Sequence, residues 1–219
     1  NFTAIAGNLP SSPALMGNTV LWKPARTALL SGYYIQKLFE EAGLPPGVIN
    51  FITGSSSEIT RQVFSNPYFA GVHFPGSTPV FNSMWKSVGE NISSYKGYPR
   101  LVGETGGKDF ILAHPSADPE AVVTAIVRGA FEYQGQKCSA ASRIYLPQGL
   151  WNEIKDTLAR QTDGLTVGDV RDFRNFMGAV IDKAAFDKIS GYVERARSSA
   201  DAEIVAGGTF DGGKGYFIR

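Results

Sequence analysis

Short runs of apolar residues alternate along the chain with longer segments in which apolar residues recur every three or four positions. The short runs have the length of β-strands, and the longer segments have the period of amphipathic helices. Strands that alternate with helices are typical of a parallel sheet wound by right-handed crossovers. The pattern therefore predicts an α/β fold with a Rossmann-like parallel sheet. The predicted strands are residues 19–22, 48–53, 69–74, 100–102, 110–113, 143–146 and 203–206.

Between these strands the chain carries six helical patterns. In the first of them Leu30, Tyr33, Tyr34 and Leu38 fall near one face, and in the last Tyr192 is predicted to point inward with its apolar neighbours. Residues 162–177 are polar and irregular, and residues 207–215 form a glycine-rich turn. The predicted helices are residues 27–42, 55–64, 78–92, 119–133, 151–161 and 182–199, with Phe186, Ile189 and Val193 completing the inward face of the last.

The predicted domain boundary lies near residues 105–108. Residues 1–105 are interpreted as part of a nucleotide-binding domain, and residues 106–219 as the first part of a second α/β domain. The chain starts with Asn rather than Met and ends at GYFIR without a polar tail. We therefore expect it to be an internal piece of a longer protein.

Composition narrows the classes of function. The chain has 219 residues, of which 43% are hydrophobic and 19% charged, and a net charge of +1. No basic run suggests nucleic acid or an anionic membrane as partner, and no apolar run reaches the roughly 20 residues of a membrane span. The single cysteine excludes an internal disulfide and suits a reducing compartment. Two histidines that lie 41 positions apart give no metal site.

That cysteine, Cys138, is the first candidate for chemistry. It lies in EYQGQKCSAASR, between a predicted helix and a predicted strand, with small and polar neighbours. A nucleophilic thiol needs room for a substrate and help to reach the thiolate. The alternative is a small apolar side chain packed in the core.

A second motif, GETGGK, spans residues 103–108 and carries Glu104. Its glycines would let backbone and ligand approach closely, although a solvated loop carboxylate is the alternative for the glutamate. GQKC with its small-residue patch resembles the nucleophile motif of the aldehyde dehydrogenase superfamily, and GETGGK resembles its general-base motif. The 34 positions between Glu104 and Cys138 also fit. NFTAIAGNLPSSPALMGN, YPRLVGETGGKDF and FEYQGQKCSAASR resemble one branch, the 1-pyrroline-5-carboxylate dehydrogenases.

The resemblance implies that residues 1–105 are part of an NAD-binding domain and residues 106–219 the first part of an aldehyde dehydrogenase-like catalytic domain. It also implies a role for each candidate catalytic residue. Cys138 would attack the aldehyde, and Glu104 would activate water for deacylation. The side-chain amide of Asn1 would stabilise the oxyanion. Phe2 would line the substrate pocket, with a core aromatic as the alternative, and Ser139 would hold the substrate carboxylate, with a small turn residue as the alternative.

The resemblance also implies a nicotinamide cofactor, NAD. WKPA resembles the family stretch that contacts the adenosine ribose, which assigns Lys23 and Ala25 to the cofactor. FPGSTPV resembles a turn that holds the pyrophosphate at a helix N-terminus, with Val80 against the adenine. Arg26 stands where many members have an acidic residue, and an arginine could meet a 2′-phosphate, so NADP remains the alternative. The other assigned residues are Gly76, Ser77, Thr78, Pro79 and Thr105.

The expected activity is therefore NAD-dependent oxidation of glutamate-γ-semialdehyde to glutamate in proline degradation. The alternatives are another semialdehyde such as succinate semialdehyde, or a catalytically silent piece, and we expect these 219 residues alone to be poorly active. The expected partners are a small-molecule substrate and, in the full-length protein, further copies of itself. The expected compartment is the bacterial cytoplasm, with the mitochondrial matrix as the alternative.

Overall fold

The computed structural model describes residues 3–219, so the expectations for Asn1 and Phe2 lie outside the described residues. The chain divides into two compact units, one ending at Thr105 and the other beginning at Gly106. The described helices are α1 (Thr3–Leu15), α2 (Leu29–Glu41), α3 (Ser56–Phe64), α4 (Thr78–Glu90), α5 (Pro119–Phe131), α6 (Gln148–Asp163) and α7 (Lys183–Ser198). The described strands are β1 (Val20–Trp22), β2 (Ile49–Phe51), β3 (Gly71–Gly76), β4 (Arg100–Thr105), β5 (Asp109–Leu112), β6 (Ala141–Tyr145), β7 (Phe210–Asp211) and β8 (Phe217–Ile218).

The first unit contains two parallel strand pairs. β1 pairs with β2 through the crossover helix α2, and β3 pairs with β4 through α4. Buried apolar side chains of α3 and α4 pack under the second pair, where the aromatic rings of Phe64 and Phe69 lie 4.5 Å apart. The predicted parallel α/β arrangement is confirmed, although within the described residues the strands pair in twos rather than in one continuous sheet.

The second unit is built around the parallel pair β5 and β6, which α5 connects. Asp118 caps α5 by accepting a hydrogen bond from the Ala121 N–H at 2.8 Å, and Pro119 occupies its first turn. The apolar face of α5 packs on α6, and the most deeply buried side chains are Val123 and Ile154. This core fixes the end of α5, from which the cysteine loop departs.

Helix α1 was not predicted, because Pro10 and Pro13 lie within it. A proline inside a helix removes a backbone hydrogen bond and clashes with the preceding turn. Pro10 is nevertheless buried, and Ser12 Oγ donates to the Asn8 carbonyl at 2.9 Å. The local cost is therefore outweighed by packing, which the sequence pattern does not reveal.

The prediction of a strand at residues 203–206 is wrong. The described chain is irregular there, and the antiparallel pair β7 and β8 forms instead within and after the segment predicted as a glycine-rich turn. The ring of Phe210 packs edge-on against that of Phe186 at 5.9 Å, which ties β7 to α7. The apolar run at residues 203–206 is too short to specify a strand without a partner for its backbone.

Two predicted helix faces also differ. Tyr192 is 56% exposed, with the Arg195 guanidinium 5.0 Å from the centre of its ring, so its inward assignment is wrong. On α2, Leu30 and Leu38 are 70% and 62% exposed in the described structure. The buried position of α2 is Gly32, where an added Cβ would lie 3.0 Å from the Phe51 ring. This helix therefore packs through a close backbone approach, which a search for apolar side chains does not detect.

Candidate active site

The carboxyl ends of β3 and β4 bring two of the predicted motifs together. In the parallel register Pro75 pairs with Glu104, and Gly76 pairs with Thr105. Ligands of α/β proteins bind at the carboxyl ends of parallel strands. The Glu104 side chain is 63% exposed at this edge, so its carboxylate is accessible to water and to a small molecule.

Glycine is required at two positions of this edge because aromatic rings cover the backbone. A Cβ on Gly103 would lie 2.2 Å from the Phe81 ring, and one on Gly76 would lie 2.3 Å from the Phe74 ring. The two rings are parallel, with their centres 6.2 Å apart. The glycines of both motifs thus serve packing under the edge.

The turn after β3 leads directly into α4. Ser77 precedes the helix in an extended conformation, and its carbonyl accepts from the Phe81 N–H at 3.0 Å. Thr78 and Pro79 form the first turn, and within residues 3–219 no side chain caps it. Free N–H groups and the helix dipole at such an end favour an anion. Val80 is 44% exposed beside it.

Lys23 and Ala25 follow the carboxyl end of β1. The Lys23 ammonium donates to the Pro24 carbonyl at 2.9 Å, which folds the side chain back over its own backbone. Arg26 begins the short 3₁₀ turn that precedes α2 and is exposed. Lys23 and Ala25 thus lie just beyond the carboxyl end of one parallel strand, as Ser77 lies just beyond that of another.

Cys138 and Ser139 lie in the second unit, between the end of α5 and the start of β6. Both residues are exposed, whereas Ala140 is buried and anchors the loop at the sheet. The Ala140 N–H donates to the Lys137 carbonyl at 3.3 Å, which closes a tight turn around the cysteine. An exposed thiol is at odds with the alternative of a core side chain.

The backbone before Cys138 is strained. Tyr133 and Gln134 both have a φ of 57°, and they are the non-glycine residues with positive φ in residues 3–219. Gly135 continues the left-handed conformation with a φ of 63°. Left-handed backbone costs a residue with a side chain about 1–2 kcal/mol. Such strain persists only where the surroundings hold it, and it concentrates at functional sites.

A charged cluster spans this turn. The Glu132 carboxylate accepts from the Arg128 guanidinium at 2.6 Å and from the Lys137 ammonium at 2.5 Å. The Lys137 hydrogen bond is the main cause that lowers the pKa of Glu132 below its ordinary value, and charge attraction from Lys137 adds to it. Glu132 is therefore ionised at neutral pH and joins the end of α5 to the residue before the cysteine.

Two glutamines attach the same turn to a neighbouring segment. Gln136 Oε1 accepts from the Ile181 N–H at 3.0 Å. With its amide oriented to satisfy both neighbours, Gln134 accepts from the Gly178 N–H at 2.6 Å and donates to the Tyr133 carbonyl at 3.0 Å. The cysteine loop is thus held by side chains on both of its sides.

Sequence reasoning missed Glu132 and His73. The imidazole Nε2 of His73 lies 3.9 Å from Glu104 Oε1, because both residues project near the same edge of the β3–β4 pair. The four-residue spacing of Arg128 and Glu132 on a helical pattern could have indicated the ion pair between these two residues. No sequence pattern indicates the ion pair between Lys137 and Glu132, because it depends on a left-handed turn that tyrosine and glutamine do not favour.

Among residues 3–219 no helix is both long and apolar enough to cross a membrane.

In a comparison with known protein families, residues 1–219 match the family described as "Aldehyde dehydrogenase family". The chain is 54% identical over 221 residues to the mitochondrial delta-1-pyrroline-5-carboxylate dehydrogenase of Dictyostelium discoideum, and 48% identical over 220 residues to that of Homo sapiens. Both matches cover 100% of this chain but only 40% and 39% of the relatives, so the chain spans about two fifths of their length.

Solved structures give the same result. A delta-pyrroline-5-carboxylate dehydrogenase from Mycobacterium tuberculosis, bound with NAD, superposes with a TM-score of 0.96 at 51% identity, over 100% of this chain and 41% of that one. A Thermus 1-pyrroline-5-carboxylate dehydrogenase with bound NAD superposes with a TM-score of 0.84 at 34% identity, over 92% of this chain and 39% of that one.

Proposed function

The chain belongs to the aldehyde dehydrogenase family and has its α/β fold, and we propose that its protein oxidises glutamate-γ-semialdehyde to glutamate with NAD. The observation that carries the proposal is the match of all 219 residues to relatives named as 1-pyrroline-5-carboxylate dehydrogenases, at 46–54% identity in those compared. 1-Pyrroline-5-carboxylate is the cyclic form of this semialdehyde. The reaction belongs to proline degradation.

Cys138 is the proposed nucleophile. Its thiolate sulfur forms a bond to the aldehyde carbon, and the electron pair of the C=O bond moves to the oxygen. The oxyanion then re-forms the carbonyl as hydride leaves the carbon, so that a thioester on Cys138 remains. The exposure of the thiol supports this role, because an aldehyde can reach it.

Glu104 is the proposed base for the second half of the reaction. It accepts a proton from a water whose oxygen attacks the thioester carbon, and the carbon–sulfur bond then breaks to release glutamate and the thiolate. An exposed carboxylate at the carboxyl edge of parallel strands, flanked by a close-packed glycine backbone, suits this task.

The remaining catalytic and substrate assignments rest on resemblance. The Asn1 amide would donate to the oxyanion, and Phe2 would line the pocket, although neither lies within the described residues. Ser139 would donate to the substrate carboxylate. Its exposed position directly after Cys138 supports that assignment, because the substrate carries its carboxylate a few bonds from the reacting aldehyde.

The turn after β3 fits the pyrophosphate of a dinucleotide. Gly76 ends β3, and Ser77 opens a helix whose first-turn N–H groups are uncapped by described side chains. NAD, when bound, supplies the acceptor for the hydride. Lys23 and Ala25 would contact the ribose, and Val80 would contact the adenine. The walls of the cofactor site would be formed by Thr78, Pro79 and Thr105. Arg26 keeps NADP as the alternative, and the NAD-bound relatives favour NAD.

We further propose that the first unit binds the cofactor and the second carries the thiol, and that the protein works as a homo-oligomer. Several eukaryotic relatives are named mitochondrial, and bacterial relatives have solved structures. The proposed compartment is accordingly the bacterial cytoplasm or the mitochondrial matrix. Which of the two applies is tested by imaging a tagged copy in the source cell.

The activity is tested by following NADH formation in a form of the protein that spans the length of the relatives. Glutamate-γ-semialdehyde, succinate semialdehyde and a simple alkanal are compared at equal concentration, each with NAD and with NADP. The proposal expects the highest kcat/KM with glutamate-γ-semialdehyde and NAD. Turnover of the alkanal or of succinate semialdehyde without turnover of glutamate-γ-semialdehyde would refute the substrate assignment.

A further inference from the structure

The turn that precedes Cys138 is an improbable piece of backbone for its sequence. Three successive residues are left-handed, and Tyr133 and Gln134 are not glycines. A chain that prefers other conformations relaxes unless contacts on both sides oppose it. The position of the thiol depends on this turn, because Gln134 and Cys138 are only four residues apart.

Glu132 lies where it can oppose that relaxation. It follows α5, and its two carboxylate oxygens bond to opposite sides of the turn: Oε1 to Arg128 on the last turn of the helix and Oε2 to Lys137 after the left-handed residues. The Lys137 side chain is 28% exposed and that of Glu132 is 40% exposed, so both charges are partly shielded from water. A bridge of this kind fixes the separation between the helix end and the residue before Cys138.

The opposite side of the turn is held by neutral contacts. Gln136 bonds to the Ile181 N–H, and Gln134 bonds to the Gly178 N–H. These amide contacts orient the loop, but they leave Lys137 and Cys138 without a link to α5. The Glu132 carboxylate supplies that link.

We propose that Glu132 is a positioning residue for the nucleophile, acting through Lys137 to hold the Cys138 loop against the end of α5. The inference rests on the proposed function only in taking Cys138 as the nucleophile. It also assigns a structural role to the Lys137 ammonium, as the hydrogen-bond partner of the Glu132 carboxylate.

The test compares variants of the full-length protein in the NADH assay. Glu132→Gln and Lys137→Met each remove one partner, the double variant removes both, and Lys137→Arg keeps the charge. Glu194→Gln is the matched control, because it breaks a similar glutamate–arginine pair on α7. Cys138→Ala is measured alongside them. Circular dichroism checks that each variant is folded.

We expect kcat to fall about tenfold or more in Glu132→Gln and in Lys137→Met, since small misplacements of a reacting group cost up to about a hundredfold. KM should change less than kcat does, because Ser139 is the one proposed substrate contact on this loop. The double variant should match the single ones, since both remove the same interaction. Lys137→Arg should recover most of kcat, and Glu194→Gln should resemble the wild type.

The inference is overturned if Glu132→Gln keeps its kcat within about twofold, or if the two single effects add in the double variant. Should Glu132→Gln fail to fold, the comparison of Lys137→Met with Lys137→Arg decides in the same way. A fully active Cys138→Ala would refute the nucleophile assignment itself. An inactive Cys138→Ala with a normal Glu132→Gln refutes only the positioning role.

Discussion

The imidazole Nε2 of His73 lies 3.9 Å from Oε1 of Glu104, across the parallel pair of β3 and β4. The Glu104 side chain is 63% exposed and that of His73 is 31% exposed. This separation is longer than a hydrogen bond, and a contact so open to water contributes only about 0–1 kcal/mol even when the histidine is protonated. His73 is therefore a neighbour of the proposed base, and the chemistry is expected to depend on the carboxylate itself.

The first prediction separates these two residues. Glu104→Gln should lower kcat by about a hundredfold or more, because general-base catalysis contributes about 10²–10⁴-fold. It should also let the acyl-enzyme accumulate, which intact-protein mass spectrometry of the quenched reaction would detect as the substrate acyl group on Cys138. His73→Asn should change kcat less than about threefold. Equal losses in the two variants would contradict the account.

The second prediction concerns the residue after the nucleophile. Ser139→Ala should raise KM for glutamate-γ-semialdehyde more than it lowers kcat, because the loss falls on the binding of the substrate carboxylate. For an alkanal of similar length, which lacks that carboxylate, the two kinetic constants should hardly change. A loss of the same size with both substrates would contradict the carboxylate role of Ser139 and would indicate that the residue only shapes the turn.

The third prediction concerns the glycine motif of β4. Gly103→Ala should lower the free energy of unfolding by about 1–3 kcal/mol, because its Cβ would overlap the Phe81 ring and over-packing costs that much. Gly89→Ala on α4 is the control, since its added Cβ would enter open space beside the helix. It should stabilise the helix by about 0.5–1 kcal/mol. Chemical denaturation of both variants provides the measurement, and a neutral Gly103→Ala would contradict the packing described.

These elements show what the sequence determines and what it leaves open. The alternation of strands and helices follows from local periodicity, which explains why the parallel α/β arrangement was predicted. The helix predicted to run to residue 133 ends at Phe131, because the next residues turn into a left-handed backbone that periodicity does not indicate. Helix α1 was missed because the buried packing of Pro10 outweighs the strong local preference of proline against a helix interior. Tyr192 was placed inward because periodicity locates a face but does not show what covers it.

The residues of the candidate site also divide into those that the sequence could predict and those that it could not. Cys138, Glu104 and the turn at Gly76 were found from motifs, and the structure brings Gly76 and Glu104 to one edge through the register of β3 and β4. The Glu132–Lys137 pair could not be predicted, because it depends on the left-handed backbone of Tyr133 and Gln134, for which those residue types have no preference.

The fourth prediction is a pH dependence of stability. The pKa of Glu132 is lowered from 4.5 by the hydrogen bond from Lys137 and by its charge. A lowered folded-state pKa stabilises the fold above the unfolded value, and this contribution disappears as the pH falls through the lowered value. The Tm of Glu132→Gln should therefore lie below that of the wild type at pH 7, and the gap should close as the pH falls below 4.5. A gap that is constant with pH would contradict the ion pair.

The central claim is that Cys138 forms a thioester with the aldehyde, and the most direct test is the NADH assay on Cys138→Ser and Cys138→Ala in the full-length protein. Because the loss of a catalytic nucleophile typically costs many orders of magnitude, the account predicts that turnover with glutamate-γ-semialdehyde falls below detection in both variants. It also predicts that NAD binding, followed by tryptophan fluorescence, persists. If either variant kept the rate of the wild type, the thiol would be structural and the proposed mechanism would be wrong.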